Sequence, residues 1–74
     1  MLMTMIPVKS SHISCIGYDE AEQTLRVEFN TGTYDYLGVP KTVYETIMKA
    51  ESKGQSLREN VLLKDYHYNR VKED

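Results

Sequence analysis

Ten residues near the middle of the chain, 31–40, constrain the fold more than any other stretch. They run Thr-Gly-Thr-Tyr-Asp-Tyr-Leu-Gly-Val-Pro and combine a turn, a strand and the start of a helix. Gly32 suits a tight turn, because glycine adopts positive φ angles without steric cost. Tyr34 and Tyr36 have the two-residue spacing of a strand. Pro40 is tolerated where a helix begins, because no intrahelical donor is lost there.

The segment before this stretch has the clearest strand pattern in the chain. In residues 24–29, apolar and polar side chains alternate strictly, as in a strand with one buried face. Residues 11–18 are rich in β-branched and aromatic types and predict an earlier strand, whereas the acidic residues 19–23 predict a solvated turn. The three strands together predict an antiparallel meander.

The register of the second hairpin decides which face of the sheet carries the two tyrosines. With a two-residue turn at residues 31–32, Phe29 faces Tyr34 and Val27 faces Tyr36, so both tyrosines lie on the apolar face. With a three-residue loop, they lie on the opposite face. Buried tyrosines indicate packing, whereas exposed rings offer a surface on which a base or a guanidinium group can stack. We favour the two-residue turn, with both hydroxyls reaching the rim.

Helical spacing follows the hairpin and predicts one main helix that ends before Gly54, a typical C-terminal cap. The inward stripe of this helix consists of Val43, Tyr44, Ile47, Met48 and Ala50. Ser56 and Glu59 fit a capping box, which predicts a short second helix through residues 62–63.

The tail, residues 64–72, repeats the two-residue tyrosine spacing among basic residues. One interpretation is an edge strand with solvated charges, which is the more common outcome for such a pattern. The other is a surface that contacts a phosphate backbone and stacks a base. The sequence leaves both open.

These patterns predict an α+β fold: a three-stranded antiparallel meander packed by one main helix, followed by a short helix and an extended C-terminal tail. A chain of 74 residues has room for one small core. We assign residues 8–72 to a single domain and residues 1–7 to a flexible N-terminus.

The charge distribution limits the kinds of partner. The net charge of −2 argues against strong nonspecific nucleic-acid binding. Residues 1–37 carry two basic and five acidic side chains, whereas residues 38–74 carry seven basic and six acidic ones, so an anionic partner is expected on the second half. The single cysteine, Cys15, excludes an internal disulfide and suits a reducing cytoplasm. The apolar residues 1–8 are too few to span a membrane, so we expect a cytoplasmic protein.

The sequence shows no pattern typical of catalysis. His12 and Cys15 are three positions apart, so on a strand their side chains point to opposite faces and form no thiolate–imidazolium pair. The other histidine, His67, is far along the chain and completes no metal-ligand spacing. A phosphate-binding glycine loop and a nucleophile elbow are also missing from the sequence. We predict no enzymatic activity, no metal and no cofactor.

Two tyrosine pairs, Tyr34-x-Tyr36 and Tyr66-x-Tyr68, belong to an ordered set of residues that extends over residues 8–71. The other members are Ser11, residues 16–19, residues 25–29, Gly32, Asp35, Val39, Pro40, Tyr44, Ala50, residues 52–54, Val61 and His67. The set resembles the KTSC domain, a family that occurs as stand-alone bacterial or phage proteins and at the C-terminus of some lysyl-tRNA synthetases. The resemblance implies an uncharacterised domain for which RNA binding is suggested by that fusion.

The resemblance therefore implies an auxiliary RNA-binding or tRNA-binding module. Its candidate nucleic-acid-binding residues are Tyr34, Tyr36, Lys64, Tyr66, Tyr68, Arg70 and Lys72. Leu57 and Leu62 depart from the family pattern, in which an aromatic residue is common near the first and a basic residue near the second. These departures favour an apolar contact, so the alternative is a protein-interaction or self-association module that binds no nucleic acid. Such a module would use an open sheet edge or the apolar residues 61–63.

Overall fold

The fold is one antiparallel sheet covered on one face by helices. The computed structural model describes residues 3–71. Its strands are β1 (Met5–Pro7), β2 (Ile13–Asp19), β3 (Thr24–Phe29), β4 (Gly32–Leu37) and β5 (Tyr68–Val71), in the sheet order β1-β2-β3-β4-β5. Between β4 and β5 lie the helices α1 (Lys41–Lys49) and α2 (Lys53–Leu57), and α2 continues into one π-helical turn (Arg58–Leu62).

The α+β class is correct, but the predicted three-stranded meander with one main helix is wrong. The sheet has five strands and carries two helices. β1 falls in residues 1–7, which the sequence assigns to a flexible N-terminus, and β5 forms from part of the predicted tail, as the edge-strand interpretation of residues 64–72 expects. Both are short edge strands without a clear alternation of apolar side chains. Their strand geometry comes from pairing with the longer β2 and β4; the tyrosine spacing of the tail indicates a strand at β5, whereas no local pattern indicates β1.

The hairpin between β3 and β4 turns at residues 30–31, one position earlier than predicted. Phe29 pairs with Gly32 and Val27 pairs with Tyr34. The register therefore differs by two residues from the predicted one. Because side chains alternate with a period of two, this shift changes the partners but not the faces. Both tyrosines of β4 lie on the apolar face, as a two-residue turn requires.

The hydrophobic core lies between the sheet and the helices. Its buried members are Ile13, Ile16, Leu25, Val27, Tyr36, Val39, Ile47, Leu57 and Val61. Ile47 is the fully buried residue of α1, and Val43, Tyr44 and Met48 pack around the core beside it. This arrangement confirms the predicted inward face of the main helix except at Ala50, which is the C-cap of α1.

The second helix begins earlier than predicted. Ser52, and not Ser56, is its N-cap, because the Gln55 N–H donates to Ser52 Oγ over 3.3 Å. Gly54 therefore lies inside α2 and does not cap α1, which ends at its C-cap, Ala50. Burial decides between the two serines, since Ser56 is enclosed by the core and is not available at a helix entrance.

The π-helical turn after α2 orients the last helical side chains. The Leu63 N–H donates to the Arg58 carbonyl oxygen over 2.9 Å, which is the five-residue spacing of a π turn. Val61 is buried in the core, whereas the next residue, Leu62, is 42% exposed. Turns of this kind are frequent at functional sites, and this one borders the surface described next.

Candidate functional site

An open groove lies where β4, β5 and the segment after the π turn meet. Its volume is about 350 Å³, and it opens to solvent. The groove is lined by Tyr34, Tyr36, Val61, Leu62, Lys64, Tyr66 and Tyr68. We call this surface the tyrosine groove.

Strand pairing brings the aromatic rings of the groove together. Tyr36 pairs with Tyr68, and Tyr34 pairs with Arg70, so all four side chains share one face of the sheet. The ring centroids of Tyr36 and Tyr68 are 5.8 Å apart with an interplanar angle of 41°, and Tyr34 meets Tyr68 edge-on at 6.1 Å. Phe29 supports Tyr34 from behind, edge-on at 6.0 Å. The rings form a connected layer that runs from the core to the surface.

Exposure differs strongly along this layer. Tyr36 is 8% exposed and forms the floor, whereas Tyr68 is 63% exposed and forms the outer wall. Within residues 3–71, no buried side-chain oxygen lacks a hydrogen-bond partner, and the Tyr36 hydroxyl bonds to none of these residues. This hydroxyl therefore opens into the groove. Burial raises the pKa of Tyr36, and the neighbouring Tyr34 and Tyr68 raise it further, so the hydroxyl stays protonated and can donate a hydrogen bond.

Two basic side chains accompany the tyrosines. Lys64 lines the groove and is exposed. The Arg70 guanidinium carbon lies 6.0 Å from the Tyr34 ring centroid, at the limit of a cation–π contact, and its Nη2 lies 3.4 Å from the Thr31 carbonyl oxygen. Gly32 leaves the space that Arg70 occupies, since a Cβ at that position would come within 3.1 Å of Nη2.

The structure brings most of the predicted site residues together. Five of the seven line the groove, and a sixth, Arg70, lies over Tyr34. Lys72 lies outside the described residues. Sequence reasoning did not place Val61 and Leu62 in this site, although they form its apolar side. Their apolar run was visible in the sequence, but only the π turn and the pairing of β5 bring it beside the tyrosines.

The other candidates are dispersed. Cys15 is half-buried on β2 and pairs with Pro7 on one side and Glu28 on the other, and His12 is exposed just before that strand. Over residues 3–71, no three His, Cys, Asp or Glu side chains are grouped so that they could hold a metal ion. No helix in that range is both long and apolar enough to cross a membrane.

Most of this chain matches a known protein family. The profile of the KTSC domain matches residues 9–66, a range from just before β2 to just before β5. The chain belongs to the KTSC domain family. The match includes both tyrosines of β4 and the side of the groove formed by the π turn, and it ends before Tyr68. The exposed outer wall of the groove is thus contributed by residues beyond the matched range.

Relatives of this KTSC domain include small proteins and part of a much larger one. A protein of Tsukamurella paurometabola is 48% identical over 52 residues, which cover 69% of this chain and 78% of the relative. An uncharacterised protein of Stutzerimonas stutzeri is 36% identical over 67 residues, which cover 89% of this chain and 92% of the relative. A lysine–tRNA ligase of Nostoc sp. is 40% identical over 52 residues, which cover 69% of this chain but 9% of the ligase.

A solved structure shares the fold. The crystal structure of a KTSC domain protein from Yersinia pestis aligns with a TM-score of 0.87 and 36% sequence identity. The alignment covers 96% of this chain and 100% of the other. The two chains therefore share the same overall fold.

Proposed function

We propose that this KTSC domain is a non-catalytic binding module that takes up RNA, with tRNA as the first candidate, through the tyrosine groove. The observation that supports the proposal is the convergence of four tyrosine rings and two basic side chains on one open surface. Aromatic rings stack on unpaired bases and basic side chains contact phosphates, and RNA-binding surfaces commonly combine the two.

The comparison with the Nostoc protein adds support of a different kind. Its name describes a ligase that joins lysine to tRNA, and a segment of it is similar to this chain. Extending tRNA to the present domain is part of our proposal. The proposal also includes a cytoplasmic location, because the lone cysteine suits a reducing compartment.

Titration of the 15N-labelled protein with bulk tRNA at low and moderate salt tests the proposal. We expect amide shifts that cluster at residues 34–36 and 64–72 and weaken as salt rises, because phosphate contacts release counterions. Lys64→Gln should weaken binding at low salt. Lys49→Gln is the matched control, because Lys49 is also an exposed lysine, lies on α1 and does not line the groove. The absence of shifts at low salt, or equal losses in the two variants, would contradict RNA binding through this groove.

A second candidate function is protein interaction or self-association. Leu62, Leu63 and Tyr68 are 42%, 66% and 63% exposed, and β5 is the last strand of the described sheet, with an outer edge that can pair with another strand. This function predicts association that is insensitive to salt and weakened by Leu63→Ser. Sedimentation velocity over a range of protein concentrations and salt would detect it. A monomer at every concentration would exclude self-association, and affinity capture with wild type against Leu63→Ser would then test for a different protein.

A further inference from the structure

The shape of the tyrosine groove suits one planar group. At about 350 Å³, it is near the lower end of the range of ligand pockets, roughly 300–1,000 Å³. Tyr36 closes the floor and Tyr68 stands at the side with most of its surface uncovered. An incoming ring can therefore stack on Tyr68, while the Tyr36 hydroxyl is free to donate to the edge of that ring.

A base inside a duplex cannot make these contacts. In A-form RNA the bases are stacked and paired, and the deep, narrow major groove keeps side chains from their edges. Only a base that has left the stack exposes both a face and an edge. The accessible groups of this groove are the face of the Tyr68 ring and the Tyr36 hydroxyl at its floor. They therefore favour unpaired nucleotides.

The basic side chains are few and close to the rings. Among the described residues of the groove and its immediate border, Lys64 and Arg70 are the cations, and Asp65 lies directly beside Lys64 in the sequence. Two cations match the two phosphates that flank a single nucleotide. A surface that followed the backbone of a long duplex would need a wider basic area.

Resting on the proposed RNA binding, we infer that the tyrosine groove recognises single-stranded RNA by holding one unstacked nucleotide. Its base stacks on Tyr68 above the Tyr36 hydroxyl, and its flanking phosphates lie at Lys64 and Arg70. This assignment goes beyond RNA binding as such, because it specifies unpaired RNA and excludes recognition of the duplex.

The salt dependence of binding gives a quantitative expectation. For single strands, the slope of log K against log salt is about −0.7 for each neutralised phosphate, so the two contacts at Lys64 and Arg70 give about −1.4. Lys64→Gln should reduce the magnitude of the slope by about 0.7, and Lys49→Gln should leave it unchanged. An unchanged slope in Lys64→Gln would remove that phosphate contact from the inference.

The deciding experiment compares single-stranded and duplex RNA of mixed sequence by fluorescence anisotropy. We expect the 74-residue chain to bind an oligonucleotide of about 8 nucleotides at least about tenfold more tightly than a duplex of about 16 base pairs. Equal or tighter binding of the duplex would overturn the inference while leaving RNA binding intact. Binding of neither RNA, nor of tRNA, would overturn both.

A matched pair of variants tests the stacking contact. Tyr68→Ala should weaken single-strand binding by roughly 5- to 100-fold, because a stacked base contributes strongly in such sites. Leu63→Ala is the control, since Leu63 is equally exposed but does not line the groove. Both side chains lie on the surface, so circular dichroism should show that both variants fold. Equal affinities of wild type and Tyr68→Ala would overturn the stacking assignment.

Discussion

Two groups of tyrosines lie on the helix-covered side of the sheet, and they differ in how completely they are enclosed. Tyr18 and Tyr44 stack almost in parallel, with ring centroids 5.0 Å apart and an interplanar angle of 12°, and the Tyr18 hydroxyl donates to the Val39 carbonyl oxygen. In the tyrosine groove, the Tyr36 hydroxyl has no such acceptor among residues 3–71. Tyr68 is mostly exposed.

The difference shows what separates a structural tyrosine from a candidate binding residue. α1 supplies Tyr44 to cover Tyr18, and the chain that leads into α1 supplies the acceptor for the Tyr18 hydroxyl. The groove is bordered only by the π turn and β5, which leave its rings and the floor hydroxyl accessible. A polar group that is buried without a hydrogen-bond partner is unfavourable. The Tyr36 hydroxyl is accessible from the groove, so a ligand can supply its partner.

The largest expected contrast is in stability. Tyr18→Ala should lower the free energy of unfolding by about 2–4 kcal/mol, because it removes a packed ring and a hydrogen bond. Tyr68→Ala should lower it by less than about 1 kcal/mol, because most of that ring is already in water. Urea denaturation followed by circular dichroism measures both. Similar losses for the two variants would show that the groove is as structural as the stacked pair.

A smaller contrast concerns the hydroxyls alone. Tyr18→Phe should destabilise the protein by about 1 kcal/mol, since it leaves the Val39 carbonyl without its donor. Tyr36→Phe should change stability by less than about 0.5 kcal/mol, since that hydroxyl bonds to no described residue. The same urea titrations give both values. A loss in Tyr36→Phe as large as that in Tyr18→Phe would mean that the floor hydroxyl has a structural partner.

The smallest expected effect appears at alkaline pH. Burial raises the pKa of both Tyr18 and Tyr36 above the ordinary value of 10.0. Because the folded-state pKa is the higher one, the neutral phenols contribute stability that is complete below about pH 10 and is lost as the pH rises through the folded pKa. The electrostatic influence of the neighbouring Tyr68 helps to raise the pKa of Tyr36, so Tyr68→Phe should lower the pKa of Tyr36. The pKa of Tyr18 should not change.

Selective 13C labelling of tyrosine Cζ allows each ring to be titrated separately by NMR. The unchanged Tyr18 serves as the internal control in the Tyr68→Phe variant. If the pKa of Tyr36 were the same in wild type and variant, the two rings would not be electrostatically coupled, and the groove would be less compact than the distances indicate.

Much of the central sheet could be predicted, because the pattern of residues within each strand indicates which side chains face the core. The strict alternation in β3 and the tyrosine spacing in β4 determine which side chains share a face. That result survives the one-residue error in the turn, because the register error is an even number of residues. The spacing of apolar residues in α1 predicts its inward side equally well.

The start of α2 depends on which of two serines, Ser52 or Ser56, becomes its N-cap, and the capping motif alone does not distinguish them. Ser52 and Ser56 both precede residues that could complete a cap, and the sequence offers no local reason to choose the first. Tertiary packing decides, since Ser56 is buried against the core and Ser52 is left at the surface to accept from the Gln55 N–H.

By itself, the sequence determined the α+β class, the faces of β3 and β4, the main helix and most of the residues that line the tyrosine groove. The tertiary structure alone decided that β1 joins the sheet, that the tail forms an edge strand, β5, of the two alternatives left open, and that β5 brings Tyr68 beside Tyr36. The physical reason is the range of the interactions. Periodicity is a property of neighbouring residues, whereas the pairing of an edge strand depends on hydrogen bonds to another strand, β2 for β1 and β4 for β5, which the edge strand's own residues do not specify.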